Sequence, residues 1–142
     1  MKWIGIHNTK ITKDVILLSH KITNNTSLEA LSISDDSIND DGVIALTQSL
    51  INNKTTTTLG LNYNPDITST SAQSLAELLL YNHTPFYLYL NGTNIDTDGV
   101  LVLMESLRTN NTLWTLALDN KHRQTCYSLP YYKTIKNRLR FW

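Results

Sequence analysis

Apolar residues in this chain recur in a fixed frame. Leu28, Leu31, Ile33 and Ile38 are followed by Gly42, Leu46, Leu50 and Asn53, and a shift of about 28 residues brings the set round again. Leu59, Leu61, Ile67, Leu75, Leu79 and Asn82 fill the same places one unit on, with one extra residue around Pro65-Asp66. Leu88, Leu90, Ile95, Gly99, Leu103, Leu107 and Asn110 form the cleanest unit, and Leu113, Leu116 and Leu118 open another. Reading backwards, Ile4, Ile6, Ile11, Leu18, Ile22 and Asn25 make a leading unit one residue shorter in its loop. Spacing held across both halves of every unit is not a chance coincidence of apolar residues.

Each unit carries two periods. The L-x-x-L-x-L half alternates with period two, which places Leu31 and Ile33 on one face of a short strand. The half from Asp40 to Leu50 carries Val43, Leu46 and Leu50 at helical spacing. Asp40 and Asp98 suit helix starts, where carboxylates offset the exposed N–H groups. Asn52-Asn53 and Asn110-Asn111 are placed to end the helices, because asparagine tolerates the left-handed cap conformation. One strand and one helix cannot bury their apolar edges alone, so the units must stack. The predicted fold is an α/β solenoid with a parallel concave sheet and convex helices. Its repeats run about 1–25, 26–54, 55–83 and 84–111, with a terminal repeat or cap over 112–142, all in a single domain.

The stretches NTSLEALSISDDSINDDGVIALTQSLINN and FYLYLNGTNIDTDGVLVLMESLRTNNTL make the pattern more specific. They resemble the leucine-rich repeat of ribonuclease-inhibitor type, in particular the C-terminal repeats of NOD-like receptors of animal innate immunity. The resemblance implies a horseshoe fold and a role in recognition, within a receptor that senses ligand or restrains neighbouring domains. It extends strongly over about residues 3–120 and more weakly over the tail. The third unit departs from it, with Ser71 in place of the usual glycine and Pro65-Asp66 adding a residue, so a local bulge in its convex loop is expected.

The two ends differ. Strand-like Trp3-Ile4-Gly5-Ile6 comes with no polar helix before it, and a solenoid needs its terminal core covered. Either the chain is the C-terminal piece of a longer receptor, or it is a short protein that hides this edge by self-association. After Leu118, Ser128 and Pro130 suit a helix start, and Ile135, Leu139 and Trp142 follow at helical spacing. That segment is expected to be a final convex helix and cap.

Charge and composition narrow the function. Lys plus Arg and Asp plus Glu balance at 12 each, so no global field draws the chain to nucleic acid or an anionic membrane. No apolar run reaches the roughly 18 residues of a membrane span, and the N-terminus lacks the apolar stretch of a signal peptide. The lone Cys126 leans toward a reducing, cytoplasmic setting, since secreted repeat domains commonly pair cysteines at their ends.

No catalytic constellation emerges. Glu29, Asp35, Asp36, Asp40 and Asp41 gather acidic charge, but they fit a ladder turn and a helix cap, with no calcium-type loop around them. His7, His20, His83 and His122 are scattered, without zinc spacing. Neither a metal, a cofactor nor a nucleophile at Cys126 is expected. Lys121, Arg123, Lys133, Lys136, Arg138 and Arg140 make a basic tail that a cap helix explains better than nucleic acid does. Six N-x-S/T sequons, at Asn24, Asn25, Asn53, Asn82, Asn91 and Asn110, mostly recur at one turn of the repeat.

The concave face is the candidate binding surface. If Leu31 and Ile33 point inward, Ala30, Ser32 and Ser34 face out, and the matching rows are Trp3, Gly5 and His7; Thr58, Gly60 and Asn62; Tyr87, Tyr89 and Asn91; and Thr115, Ala117 and Asp119. Tyr87 and Tyr89 on one strand suit a contact hot spot, unless they merely fill space beside small neighbours such as Gly60 and Ala117. Tyr63 and Trp114 extend the patch. Two functional readings stay open: a module recognising a protein or microbial ligand through this face, and a stand-alone scaffold or inhibitor that self-associates through its N-terminal edge or aromatic tail.

Overall fold

A computed structural model describes residues 2–35, 37–84 and 86–142. Strands and helices alternate: β1 (Trp3–His7), α1 (Thr12–Ile22), β2 (Ala30–Ser34), α2 (Asp40–Leu50), β3 (Thr58–Gly60), α3 (Ser69–Tyr81), β4 (Phe86–Tyr89), α4 (Thr97–Thr109), β5 (Leu113–Leu118), α5 (Arg123–Tyr127), α6 (Tyr132–Ile135) and β6 (Leu139–Phe141). The strands form one parallel sheet in sequence order, β1 to β6. This is the leucine-rich-repeat solenoid that the period of the sequence predicts.

The core lies between the sheet and the helices. Leu31, Ile33, Leu59, Leu61, Leu88, Leu90 and Leu116 are fully or almost fully buried from the strand side, and Val43, Leu46, Leu50, Leu75, Leu103 and Leu107 from the helix side. Each such side chain contributes about 1.5–3 kcal/mol by leaving water. Helices α2, α3 and α4 follow residues whose side chains cap them. The Asn39 side chain accepts from the Gly42 N–H, and that of Asp96 from the Gly99 N–H at 2.9 Å. Asp40 stands in the first turn of α2, as expected, and does further work there. Its carboxylate takes the Thr68 N–H at 2.9 Å and hydroxyl at 2.6 Å, and the Ser71 hydroxyl, so it clamps the start of the next helix. Ser71 sits where glycine stands in two other units and is fully buried, its hydroxyl spent on this clamp.

The asparagines at the helix ends are not left-handed caps. Among the described non-glycine residues only Asn8, Asp35 and Tyr63 have positive φ, and Asn110 is extended at φ −72° and ψ 130°. They bridge units instead. The Asn53 amide donates to the Ile22 and Asn25 carbonyls at 2.7 and 3.1 Å, and its oxygen accepts from the Thr55 and Thr56 N–H groups. Asn82 donates to Leu50 and Asn53 and accepts from Thr84; Asn110 donates to Leu79 and accepts from Thr112 and Leu113. Each side chain thus satisfies backbone groups left over where a helix stops.

The tail departs from expectation. In place of one helix through Trp142, two short helices and 3₁₀ turns lead into β6, which pairs with β5 through Leu116–Leu139, Ala117–Arg140 and Leu118–Phe141. An unpaired β5 edge would leave its backbone groups exposed, and β6 satisfies them. Arg138 closes the asparagine series: its guanidinium donates to the Asn110 carbonyl at 2.6 Å and that of Leu107 at 2.8 Å. Burial lowers its pKa, a cost that these two charge-assisted bonds offset.

Candidate recognition surface

Parallel register sets the open face of the sheet in rows. Trp3, Ala30, Thr58, Tyr87 and Thr115 stand side by side, and so do Gly5, Ser32, Gly60, Tyr89, Ala117 and Arg140. Tyr89 therefore has Gly60 on one side and Ala117 on the other. With no Cβ at Gly60 and only a methyl at Ala117, its ring leans without obstruction. It stacks on Trp142, centroids 6.0 Å apart and planes 21° from parallel. Tyr87 tilts against Trp114 at 5.8 Å. Both tyrosines are half-buried, while Trp3, Trp114 and Trp142 are 58%, 60% and 61% exposed. Space-filling and display are thus both present in one aromatic group.

The Trp3 ring lies across Gly5, in the space a Cβ would take. Between Trp3 and the Tyr89–Trp142 stack runs a trough of about 310 Å³ floored by Ala30, Ser32, Thr58 and Gly60, with Asn62 on its wall. Trp142 belongs to this surface and not to the cap helix that its helical spacing predicts. The residue-by-residue alternation of Leu139 and Phe141 was the signal for a strand there.

Above the strands, the next row is less open than expected. Asn62 is half-buried, but Ser34 and Asn91 are 6% and 3% exposed. The Ser34 hydroxyl lies 2.6 Å from His7 Nδ1 and donates to Asp35 Oδ2 at 3.0 Å. All three groups meet at a single ring nitrogen of His7, since Asp35 Oδ2 is 3.6 Å from the same Nδ1. A relay for nucleophilic catalysis needs the carboxylate on the opposite nitrogen. Asp119 Oδ1 accepts the Gly92 N–H at 2.8 Å. Gly92 has φ +75°, and a Cβ there would sit 2.5 Å from Tyr63 Cδ1, so glycine lets exposed Tyr63 fold over this turn. Gly60 is buried as part of the floor and presents only backbone.

Two atoms in this row stand out. Asn62 Oδ1 and Asn91 Oδ1 are buried without a hydrogen-bond partner. Such a carbonyl costs about 1–3 kcal/mol, and neighbouring Asn64 shows the contrast. Its amide donates to Ile33, Leu61 and Asn62 carbonyls and accepts from Ser37 and Ile38.

The remaining candidates are absorbed by structure. Asp36 lies outside the described residues. Cys126 is buried, which pushes its thiol up to about 11 and leaves it protonated at neutral pH. Among the described residues no three His, Cys, Asp or Glu side chains converge as a metal site. In the tail Arg138 is committed to backbone, Arg140 donates to the Asn137 and Leu139 carbonyls, and Arg123 covers Phe141. Of the sequon asparagines, Asn53, Asn82 and Asn91 are buried. Among the described residues no helix is long and apolar enough to cross a membrane.

No family model matches the chain. It is 29% identical over 109 residues, 76% of its length, to human "NACHT, LRR and PYD domains-containing protein 5". It is 30% identical over 87 residues, 61% of its length, to bovine "NACHT, LRR and PYD domains-containing protein 9". The chain spans 9% of the length of each of these relatives. Among solved structures it is similar to "Leiomodin-1 Actin-Binding Site 2 (ABS2)", with a TM-score of 0.77 and 22% identity over 97% of this chain and 83% of that one. The structural likeness carries the fold, and the sequence likeness points to the leucine-rich-repeat class.

Proposed function

We propose that residues 1–142 form a single leucine-rich-repeat recognition domain of ribonuclease-inhibitor type that binds a protein or microbial ligand through its concave face. The observation that carries this reading is the aromatic group Tyr87, Tyr89, Trp114 and Trp142, held on rigid strands with large exposed area. Tyrosine and tryptophan supply contact area at little cost in side-chain entropy, and parallel strands fix their spacing before a partner arrives. Asn62, half-buried, adds an amide at the edge of this group. Similarity to the two NACHT, LRR and PYD proteins supports a place in a cytoplasmic innate immune sensor of NOD-like-receptor type.

The test is capture from a native extract by the intact chain and by Tyr87→Ala/Tyr89→Ala. Purified actin is the first defined partner to include, since the similar solved structure is named as an actin-binding site. A partner lost with the double change, while circular dichroism keeps the helix–sheet signature, supports concave-face binding. Equal retention by both forms rejects it. The second reading, self-association, is favoured by the N-terminal edge. There Leu17 is 67% exposed and Ile4, Ile6 and Leu18 are only partly buried. Mass that rises with concentration and falls back on changing Trp3 would select it.

A further inference from the structure

We propose that the trough between Trp3 and the Tyr89–Trp142 stack is a site for an uncharged peptide segment in polyproline II conformation. The inference rests on concave-face recognition and names its ligand. Three properties of the site lead to it.

The first is shape. Trp3 stands on β1 and Tyr89 on β4, three interstrand steps or about 14 Å apart along the sheet. On the strands between them, Ala30, Ser32, Thr58 and Gly60 floor the trough. The walls are flat aromatic rings and the floor is small, so the trough accepts a narrow, extended rod. A five-residue strand such as β1 rises about 17 Å, the length of five to six residues of polyproline II at 3.1 Å each.

The second is hydrogen-bond character. The indole N–H groups of Trp3 and Trp142 and the Tyr89 hydroxyl have no protein partner among the described residues. The walls therefore carry donors that no protein acceptor occupies. A proline-rich segment presents backbone carbonyls and almost no N–H groups, so acceptors on the ligand meet donors on the site. Prolyl rings also stack flat on indole and phenol, and a preformed helix loses little freedom on binding.

The third is charge. Among the described residues, none that lines the trough is charged. The nearest cation in these rows, Arg140, is turned onto its own backbone. Anionic and phosphorylated segments find no ion-pair partner there.

The three tryptophans make the test direct. In the ¹⁵N-labelled full chain each gives one indole N–H signal, and Trp114 is the internal control because it lies outside the trough. The probe is the blocked peptide Ac-Pro-Pro-Leu-Pro-Pro-Leu-Pro-Pro-NH₂, and cellotriose is the comparison. The expected result is saturable movement of the Trp3 and Trp142 signals with the peptide, a smaller movement of Trp114, and no response to cellotriose. Trp3→Ala, at an exposed position, is expected to weaken binding at least tenfold. Ser32→Leu fills the floor from a half-exposed site and is expected to abolish binding while the remaining spectrum stays folded. Silent indoles at millimolar peptide, equal movement of all three, or a response to cellotriose alone would overturn the proposal. Silent indoles combined with capture that still depends on Tyr87 and Tyr89 reject the peptide class and leave concave recognition standing. Silence together with unaltered capture rejects both.

Discussion

Asparagine plays opposite parts on two sides of this molecule. At the turns that follow the helices, Asn53, Asn82 and Asn110 spend both ends of their amides on backbone groups of two successive units. At the top of the concave face, Asn62 and Asn91 leave their carbonyls buried and unpaired. The same side chain has its hydrogen-bonding capacity consumed in one place and left unspent in the other. Burial alone does not separate the two, since Asn82 and Asn91 are 4% and 3% exposed.

The comparison breaks most visibly at Asn82. Asn82→Ala strands the Leu50 and Asn53 carbonyls and the Thr84 N–H, and should cost about 3 kcal/mol or more, read as a lower urea midpoint. A loss under about 1 kcal/mol would show that water replaces the amide and that the turn is no more demanding than the concave row. Arg138→Ala comes next, at about 2 kcal/mol. Arg138→Lys should recover only part of it, because one ammonium cannot hold the two carbonyls as a planar fork does. Asn91→Leu has the opposite sign. Removing an unpaired carbonyl should leave stability unchanged or raise it by up to about 1 kcal/mol, with any partner binding reduced. A large destabilisation would place Asn91 among the structural asparagines.

The smallest effect concerns His122, buried beyond β5 at 5% exposure. Burial first, then nearby Lys121, lowers its pKa from 6.5. The unfolded chain therefore binds the proton more readily than the folded one. This contribution is fully present above pH 6.5 and is lost as pH falls toward the folded value. His122→Gln should flatten the difference in melting temperature between pH 7.5 and 5.5. An unchanged difference would assign the acid sensitivity elsewhere.

Much of the fold was legible because it rests on periodicity. Leu31, Ile33, Leu88 and Leu90 alternate in sequence and are buried as that alternation demands. What escaped was long-range pairing. Nothing local distinguishes an asparagine that caps its helix from one whose amide reaches a carbonyl 31 residues back, as that of Asn53 does to Ile22. Arg138 was nonetheless within reach, since it falls one repeat after Asn110, 28 residues on, and bonds that residue's carbonyl. In the tail, Ile135, Leu139 and Trp142 match helical spacing, yet the free edge of β5 takes Leu139–Phe141 into the sheet. The row assignments of Trp3, Tyr87 and Tyr89 followed from alternation alone. The placing of Trp3 and Trp142 on opposite walls of one trough depends on six strands sharing one face, which no local pattern encodes.

The placement of the tryptophans bears on how this protein can be watched. All three are more than half exposed, and the core is built from Leu, Ile and Val with Phe86 as a buried ring. Their emission already arises in a wet environment, so melting the core shifts its wavelength little, and the unfolding midpoint must be followed through the backbone. For the same reason the intrinsic light of the molecule comes from its open side, where Trp142 faces Tyr89 and Trp114 faces Tyr87. A blue shift or a change in quenching by iodide would then report a covered surface rather than a change of fold, and the chain carries its own optical label for occupancy.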